Sequence, residues 1–202
     1  MTHYIGIAGT NAVHSTNRQL IAYMKQHFAD QATIDIAEIG GWPLFMKNPG
    51  KKLPAQVTAL AKQIEEADGV IIATPEYDHA VPAVLSSALA WLSYGIDPLA
   101  GKPVMIVGAS YGSLGTSRAQ AQLRQILDSP EVRASVMPSS EFLVGHSLDA
   151  FDENGDLKDP QLVAPLDVLF KEFGVFGKIT QELVGSLAAI KKQASSVDWV
   201  KD

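Results

Sequence analysis

Five times along this chain a short apolar run rich in β-branched residues gives way to a longer stretch with helical spacing, and no other feature restricts the fold as much. The runs lie at residues 4–8, 33–36, 69–74, 103–109 and 132–144, the last interrupted at Pro138. Two of them, Val70-Ile71-Ile72-Ala73 and Val104-Met105-Ile106-Val107, are continuously apolar, as a strand covered on both faces requires. Between the runs, Leu20, Ile21, Met24 and Phe28 recur at helical intervals, as do Leu60, Ala61 and Ile64. Residues 82–93 and 116–127 read as two more helices, 40–54 as a loop rich in Gly and Pro, and 160–173 with 178–194 as one or two terminal helices. The alternation predicts an α/β fold: a five-stranded parallel sheet with helices on both faces, forming three layers. Right-handed crossovers leave few strand orders, and 2-1-3-4-5 is the expected one.

A chain of 202 residues is long enough for one domain with a single large core, and it shows no internal repeat, low-complexity stretch or linker. One domain over residues 1–202 is therefore expected. A net charge of −6 argues against nucleic acid, which needs a basic footprint, and against anionic membrane surfaces. No stretch approaches the roughly 20 apolar residues of a membrane span, and residues 1–8 do not read as a signal peptide. Without cysteine there is no disulfide, thiol nucleophile or thiolate metal site, which suits a reducing, cytoplasmic setting. The five histidines are scattered, so no metal site is expected.

In open parallel sheets ligands bind beyond the carboxyl ends of the strands, where strand order reverses. With the expected order, the loops after the first, third and fourth strands share one rim. The first, residues 9–17, enters a helix whose N-terminus offers unpaired N–H groups and partial positive charge. Its Thr10, Asn11, Ser15, Thr16 and Asn17 add hydroxyl and amide groups around a phosphate. It has neither the glycine fingerprint of a dinucleotide site nor a P-loop lysine, which favours a terminal monophosphate. Ser15 also reads as a simple helix cap, and the two roles are compatible. The second loop begins Pro75-Glu76-Tyr77-Asp78 and ends at Pro82, with Tyr77 available to lie against a flat heterocycle and Glu76 to pair with a helix or a neighbouring subunit. In the third loop Gly108, Gly112 and Gly115 let backbone approach a planar ligand, beside Ser110 and Tyr111. His14 could lend charge to a phosphate but reads first as an exposed loop residue, and Arg118 and Arg124 read as surface or subunit-contact residues.

The segment Pro75-Glu76-Tyr77-Asp78 with the helix at 81–93, and the glycine-rich loop 108–115 leading into the helix at 118–124, are similar to motifs of the NADPH-dependent FMN reductase family, within the flavodoxin-like superfamily. The first loop and the Phe151-Asp152-Glu153-Asn154-Gly155 turn match as well, so the resemblance runs over about residues 4–175. It implies a flavodoxin-like fold and non-covalent FMN, with its phosphate at Thr10, Ser15 and Asn17. The ring would lie between Pro75, Glu76, Tyr77 and Asp78 on one side and Ser110 and Gly112 on the other. It further implies NADPH or NADH as reductant, a small electron acceptor (flavin, quinone, azo compound or metal ion) and a homodimer or homotetramer. Residues 177–202 extend past the family core, and Trp199 and Val200 suggest that they dock somewhere, a partner subunit being one candidate.

Four departures stand out. Ala12 occupies a place where the family often has Arg, Asp78 stands where Asn is usual, and His79 and Thr116 replace usual glycines. A carboxylate at Asp78, near the N1/O2 edge of a flavin, would lower its reduction potential. Hydride chemistry belongs to the cofactor, so no side chain is assigned as catalytic. An electron carrier, or a flavin-binding protein without NAD(P)H oxidase activity, is the alternative reading.

Overall fold

A computed structural model describes residues 1–138 and 141–195, with side chains through residue 186. Its elements are β1 (Thr2–Ala8), α1 (Thr16–His27), β2 (Ala32–Glu38), α2 (Ala55–Glu66), β3 (Gly69–Ala73), α3 (Ala83–Leu92), β4 (Pro103–Ala109), α4 (Ser117–Leu127), β5 (Ser135–Val136), β6 (Phe142–Val144) and α5 (Pro160–Ser195). The sheet runs β2-β1-β3-β4-β5, all parallel, with β6 also on β4. This is the expected flavodoxin-like order. The fifth position is split: β5 pairs with Pro103 and Val104 at the start of β4, and β6 with Val107–Ala109 at its end. Pro138 lies between the two pieces, a residue without the N–H a ladder needs.

Alternation within the strands assigns the two faces. Ile5, Ile7, Val70, Ile72, Val104 and Ile106 pack with α2, α3 and α4 through Leu60, Ile64, Leu89 and Leu123. Their neighbours Tyr4, Ile71, Ala73, Met105 and Val107 turn to the other face and meet α1 and α5 through Leu20, Met24, Leu166 and Phe173. Period two in the strands and 3.6 in the helices therefore produce one layer of sheet between two layers of helix. Gly6 admits α1 closely; a Cβ there would lie 2.6 Å from Ile21 Cγ2.

The α5 helix runs unbroken from Pro160 to Ser195, which resolves the one-or-two reading of the terminal helices in favour of one. Its inner side carries an aromatic cluster. Phe170 stacks on Phe28 of the α1 C-cap at 3.7 Å between centroids, and Tyr4 contacts both Phe170 and Phe173. The opposite side exposes Val168, Val175, Ile179 and Leu183. Trp199 and Val200 lie outside the described residues.

Phe173 is fully buried, so truncating it removes packing that joins α5 to β1. Phe173→Ala is expected to lower the unfolding free energy by about 3–5 kcal/mol, measured by urea denaturation followed by circular dichroism. A loss under about 1 kcal/mol, within the range of a surface substitution, would show that α5 does not hold the sheet.

Candidate functional site

Because β1, β3 and β4 are neighbours, the loops leaving their carboxyl ends meet over one edge of the sheet. They enclose a cleft of about 460 Å³, within the usual range for small-molecule sites. Of the residues expected at a ligand, Ser15, Thr16, Asn17, Pro75, Glu76, Tyr77, Ser110, Tyr111 and Gly112 line it together. Thr10, Asn11 and Asp78 do not.

The first loop shows why. Thr10 is fully buried and works beneath the site: its Oγ1 accepts from Ala12 N at 3.0 Å and lies 3.5 Å from Tyr77 Oη. Asn11 points to solvent. Ser15 is the N-cap of α1, its Oγ accepting from Arg18 N at 3.3 Å. Thr16 Oγ1 sits 2.8 Å from Ser147 Oγ. Asn17 is buried and forms two hydrogen bonds with one residue of β4: its Nδ2 donates to Ala109 O at 2.7 Å, and Ala109 N donates to its Oδ1 at 2.9 Å. The N–H groups of residues 13–17 donate to no acceptor among the described residues. A short row of donors at the positive end of a helix remains for an anion.

The second loop turns tightly. Tyr77 and Ala80 exchange backbone hydrogen bonds at 3.1 and 2.9 Å, with φ of +50° at Asp78 and +63° at His79. Two left-handed residues in succession make a type I′ turn, the geometry for which glycine is favoured at the second position. That turn carries the Asp78 side chain out to solvent and brings His79 to the cleft. Glu76, whose side chain is only 9% exposed, caps α4: its Oε2 accepts from Arg118 N at 3.0 Å and Ala119 N at 3.1 Å, and Arg118 Nη1 reaches Oε1 at 3.5 Å. Of the two pairings expected for Glu76, the structure shows the helix.

In the third loop Ser110 N donates to Val144 O and Ser147 N to Ser110 O, both at 2.9 Å, so the loop is laced to the segment after β6. Thr116 stands just outside α4 at φ +79°, a glycine-like conformation at another of the family's glycine positions. Its Oγ1 would be 1.9 Å from a Cβ on Gly108, so that glycine is obligatory beside this threonine. Tyr111 and Leu114 stay about half exposed at the mouth.

Arg118, read as a surface or subunit-contact residue, lines the cleft and pairs with Glu76; His14, weighed as a charge partner for a phosphate but read first as an exposed loop residue, lines it too; Ser147, buried, escaped the sequence and supports Thr16. The helical spacing of α4 places Arg118 one residue past its start, a signal that goes unused until the cap on Glu76 is seen.

One end of the cleft thus offers neutral donors at a helix N-terminus, and the other offers aromatic, proline and glycine surfaces. Among the described residues its one carboxylate, Glu76, is already paired with Arg118 and the first N–H groups of α4. A phosphate joined to a flat heterocycle fits this donor set. The model of the NADPH-dependent FMN reductase family matches residues 2–149. The chain belongs to that family.

Among relatives of known function, the NADH:(hydroxy)cinnamate reductase subunit CrdA of Vibrio ruber is 53% identical over 190 residues, covering 94% of each chain. The NADH-dependent flavin reductase subunit 2 of Lactobacillus johnsonii is 42% identical over 183 residues, 88% of this chain and 98% of its own. A quinone reductase of Escherichia coli is 44% identical over 132 residues, 64% and 68%. The flavoenzyme NAD(P)H:(acceptor) oxidoreductase FerB of Paracoccus denitrificans shares the fold at a TM-score of 0.74 and 22% identity, covering 90% of this chain and 98% of that one. This member of the FMN reductase family is an NAD(P)H-dependent, FMN-using oxidoreductase.

Glu76→Ala would leave the N–H groups of Arg118 and Ala119 at the start of α4 without their cap. It is expected to cost about 1–2 kcal/mol of stability, read from urea denaturation of the FMN-free protein. An unchanged midpoint would mean that solvent caps α4 equally well.

Proposed function

We propose that the cleft binds FMN with its phosphate at residues 12–17 and its ring between Pro75–Tyr77 and Ser110–Gly112, and that NADH is the preferred reductant. The observation carrying the first part is the pairing, in one cleft, of unused N–H donors at the start of α1 with Tyr77 and Tyr111 at the other end. Two observations support NADH. Among the described residues no lysine lines the cleft, and the one arginine that does, Arg118, is engaged by Glu76, so no spare permanent cation there meets the 2′-phosphate of NADPH. The relatives from Vibrio ruber and Lactobacillus johnsonii are both named for NADH.

Held by the donors of residues 13–17 and the surfaces at Pro75–Tyr77 and Ser110–Gly112, FMN would supply the hydride and electron chemistry between nicotinamide and acceptor. The chain's residues bind and orient. Donors of α1 hold the phosphate, Asn17 sets the distance from α1 to β4, and the Glu76 cap holds Pro75 and Tyr77 against the ring. One side stays open at Tyr77 and Tyr111, so reductant and acceptor take turns at the same face.

The acceptor is a small aromatic or quinone-like molecule or the flavin of a partner chain; the word "subunit" in two relatives' names supports the second. We further infer self-association in the cytoplasm. The exposed row Val168, Val175, Ile179 and Leu183 on α5 supports a subunit contact, and no described helix is long and apolar enough to cross a membrane. The described chain reads as a single domain to which the far end of α5 is an extension.

Purified protein saturated with FMN and then freed of unbound flavin by gel filtration should be yellow, and without oxygen NADH should bleach it faster than NADPH. FMN at a hundredfold above its Kd should raise Tm by about 5–10 °C. Steady-state lines at varied acceptor should be parallel. Colourless protein with an unmoved Tm overturns the site; faster bleaching by NADPH overturns only the reductant.

A further inference from the structure

We propose that Arg18, forked onto Glu38, is a positioning residue that turns the peptide groups of the first loop so that their N–H donors face the cleft. The Arg18 guanidinium donates to both carboxylate oxygens of Glu38, from Nε at 2.5 Å and Nη2 at 2.8 Å. Glu38 is the last residue of β2 and registers with Ala8 at the end of β1, so the anchor is part of the sheet. From that fixed position Nη1 donates to Ala12 O at 2.8 Å and to Val13 O at 3.2 Å.

The consequence follows from peptide geometry. No peptide in the described chain is cis, and in a trans peptide the C=O of one residue and the N–H of the next point in opposite directions. Arg18 holds the carbonyls of Ala12 and Val13 toward itself, so the N–H groups of Val13 and His14 are turned away from it. Arg18 is not a lining residue, whereas Ala12 and His14 are. The two donors therefore join those of residues 15–17 on the cleft side, and consecutive N–H groups of this kind form an anion-binding concavity.

This gives a physical account of Ala12. A loop that lacks the arginine often found there can still grip a phosphate if its backbone is set in advance. The cation that sets it stays behind the loop, with its charge spent on Glu38. A preorganised neutral site loses less on binding than one that must order a long side chain.

The inference rests on reading residues 12–17 as the phosphate end, and riboflavin, which lacks the phosphate, separates the two. Kd values for FMN and riboflavin are measured by quenching of flavin fluorescence at about 0.15 M salt, where exposed charges are screened. The proteins are the wild type, Arg18→Lys and Glu38→Gln, with the FMN-free Tm reporting that each is folded. Lysine keeps the charge but not the fork. Both variants should bind FMN roughly three- to tenfold more weakly, the worth of about one hydrogen bond, with riboflavin unchanged. Glu38→Gln decides between positioning and direct pairing, because an arginine freed to reach the phosphate would tighten FMN. Tighter FMN in Glu38→Gln, or an FMN-to-riboflavin ratio unmoved in Arg18→Lys, overturns the proposal while leaving the phosphate site intact. A wild type that binds riboflavin as tightly as FMN overturns both.

Discussion

Asn17 and Ala109 exchange two buried hydrogen bonds, at 2.7 and 2.9 Å, and the rest of the cleft depends on that exchange. Asn17 lies in the first turn of α1 and Ala109 is the last residue of β4. The amide therefore fixes the helix end that faces an anion to the strand end from which the glycine-rich loop departs. A buried amide satisfied on both sides is costly to disturb, since either half left alone loses its partner without regaining water. Between these anchors comes β3, whose loop is held in turn by Glu76 at the start of α4. Three loops that are distant in sequence thus keep fixed spacings because single side chains reach across the rim.

The division of labour in this site is mostly one of backbone and shape. Charge is sparse and mutually cancelled: Arg18 with Glu38 behind the first loop, Arg118 with Glu76 beside the second. What remains for a ligand is oriented N–H groups, hydroxyls and aromatic surface. That economy matches a family in which the reactive atoms belong to the cofactor and the acceptor differs from one member to the next. Fold and cofactor set what chemistry is available, and Tyr77, Tyr111 and Leu114 stand half exposed at the open mouth.

Much of this was legible in the residues. Continuous apolar runs such as Val70–Ala73 announce strands covered on both sides, and with helical spacing between them the parallel order and the common rim follow. Boundaries moved slightly: β2 runs from Ala32 to Glu38, beyond the apolar core at 33–36, because its outer residues pair with all of β1. Side-chain direction was the illegible part. Thr10 and Asn11 are adjacent and equally polar, yet one is buried as a brace and the other faces water. Asp78 belongs to a recognisable motif, but the left-handed turn that it shares with His79 decides which side chain meets the cleft. Ser147 and Arg118 reach the site through contacts over long sequence distance, for which periodicity carries no signal.

The convergence of these loops on one ligand is open to a direct test by hydrogen exchange with mass spectrometry, comparing the protein without flavin and saturated with FMN. Amides of residues 12–17, 75–77 and 110–114 should gain protection together, at the same FMN concentration, with little change at the opposite edge of the sheet near Thr2 and Lys178. Protection confined to one loop, or centred on that opposite edge, would contradict the account.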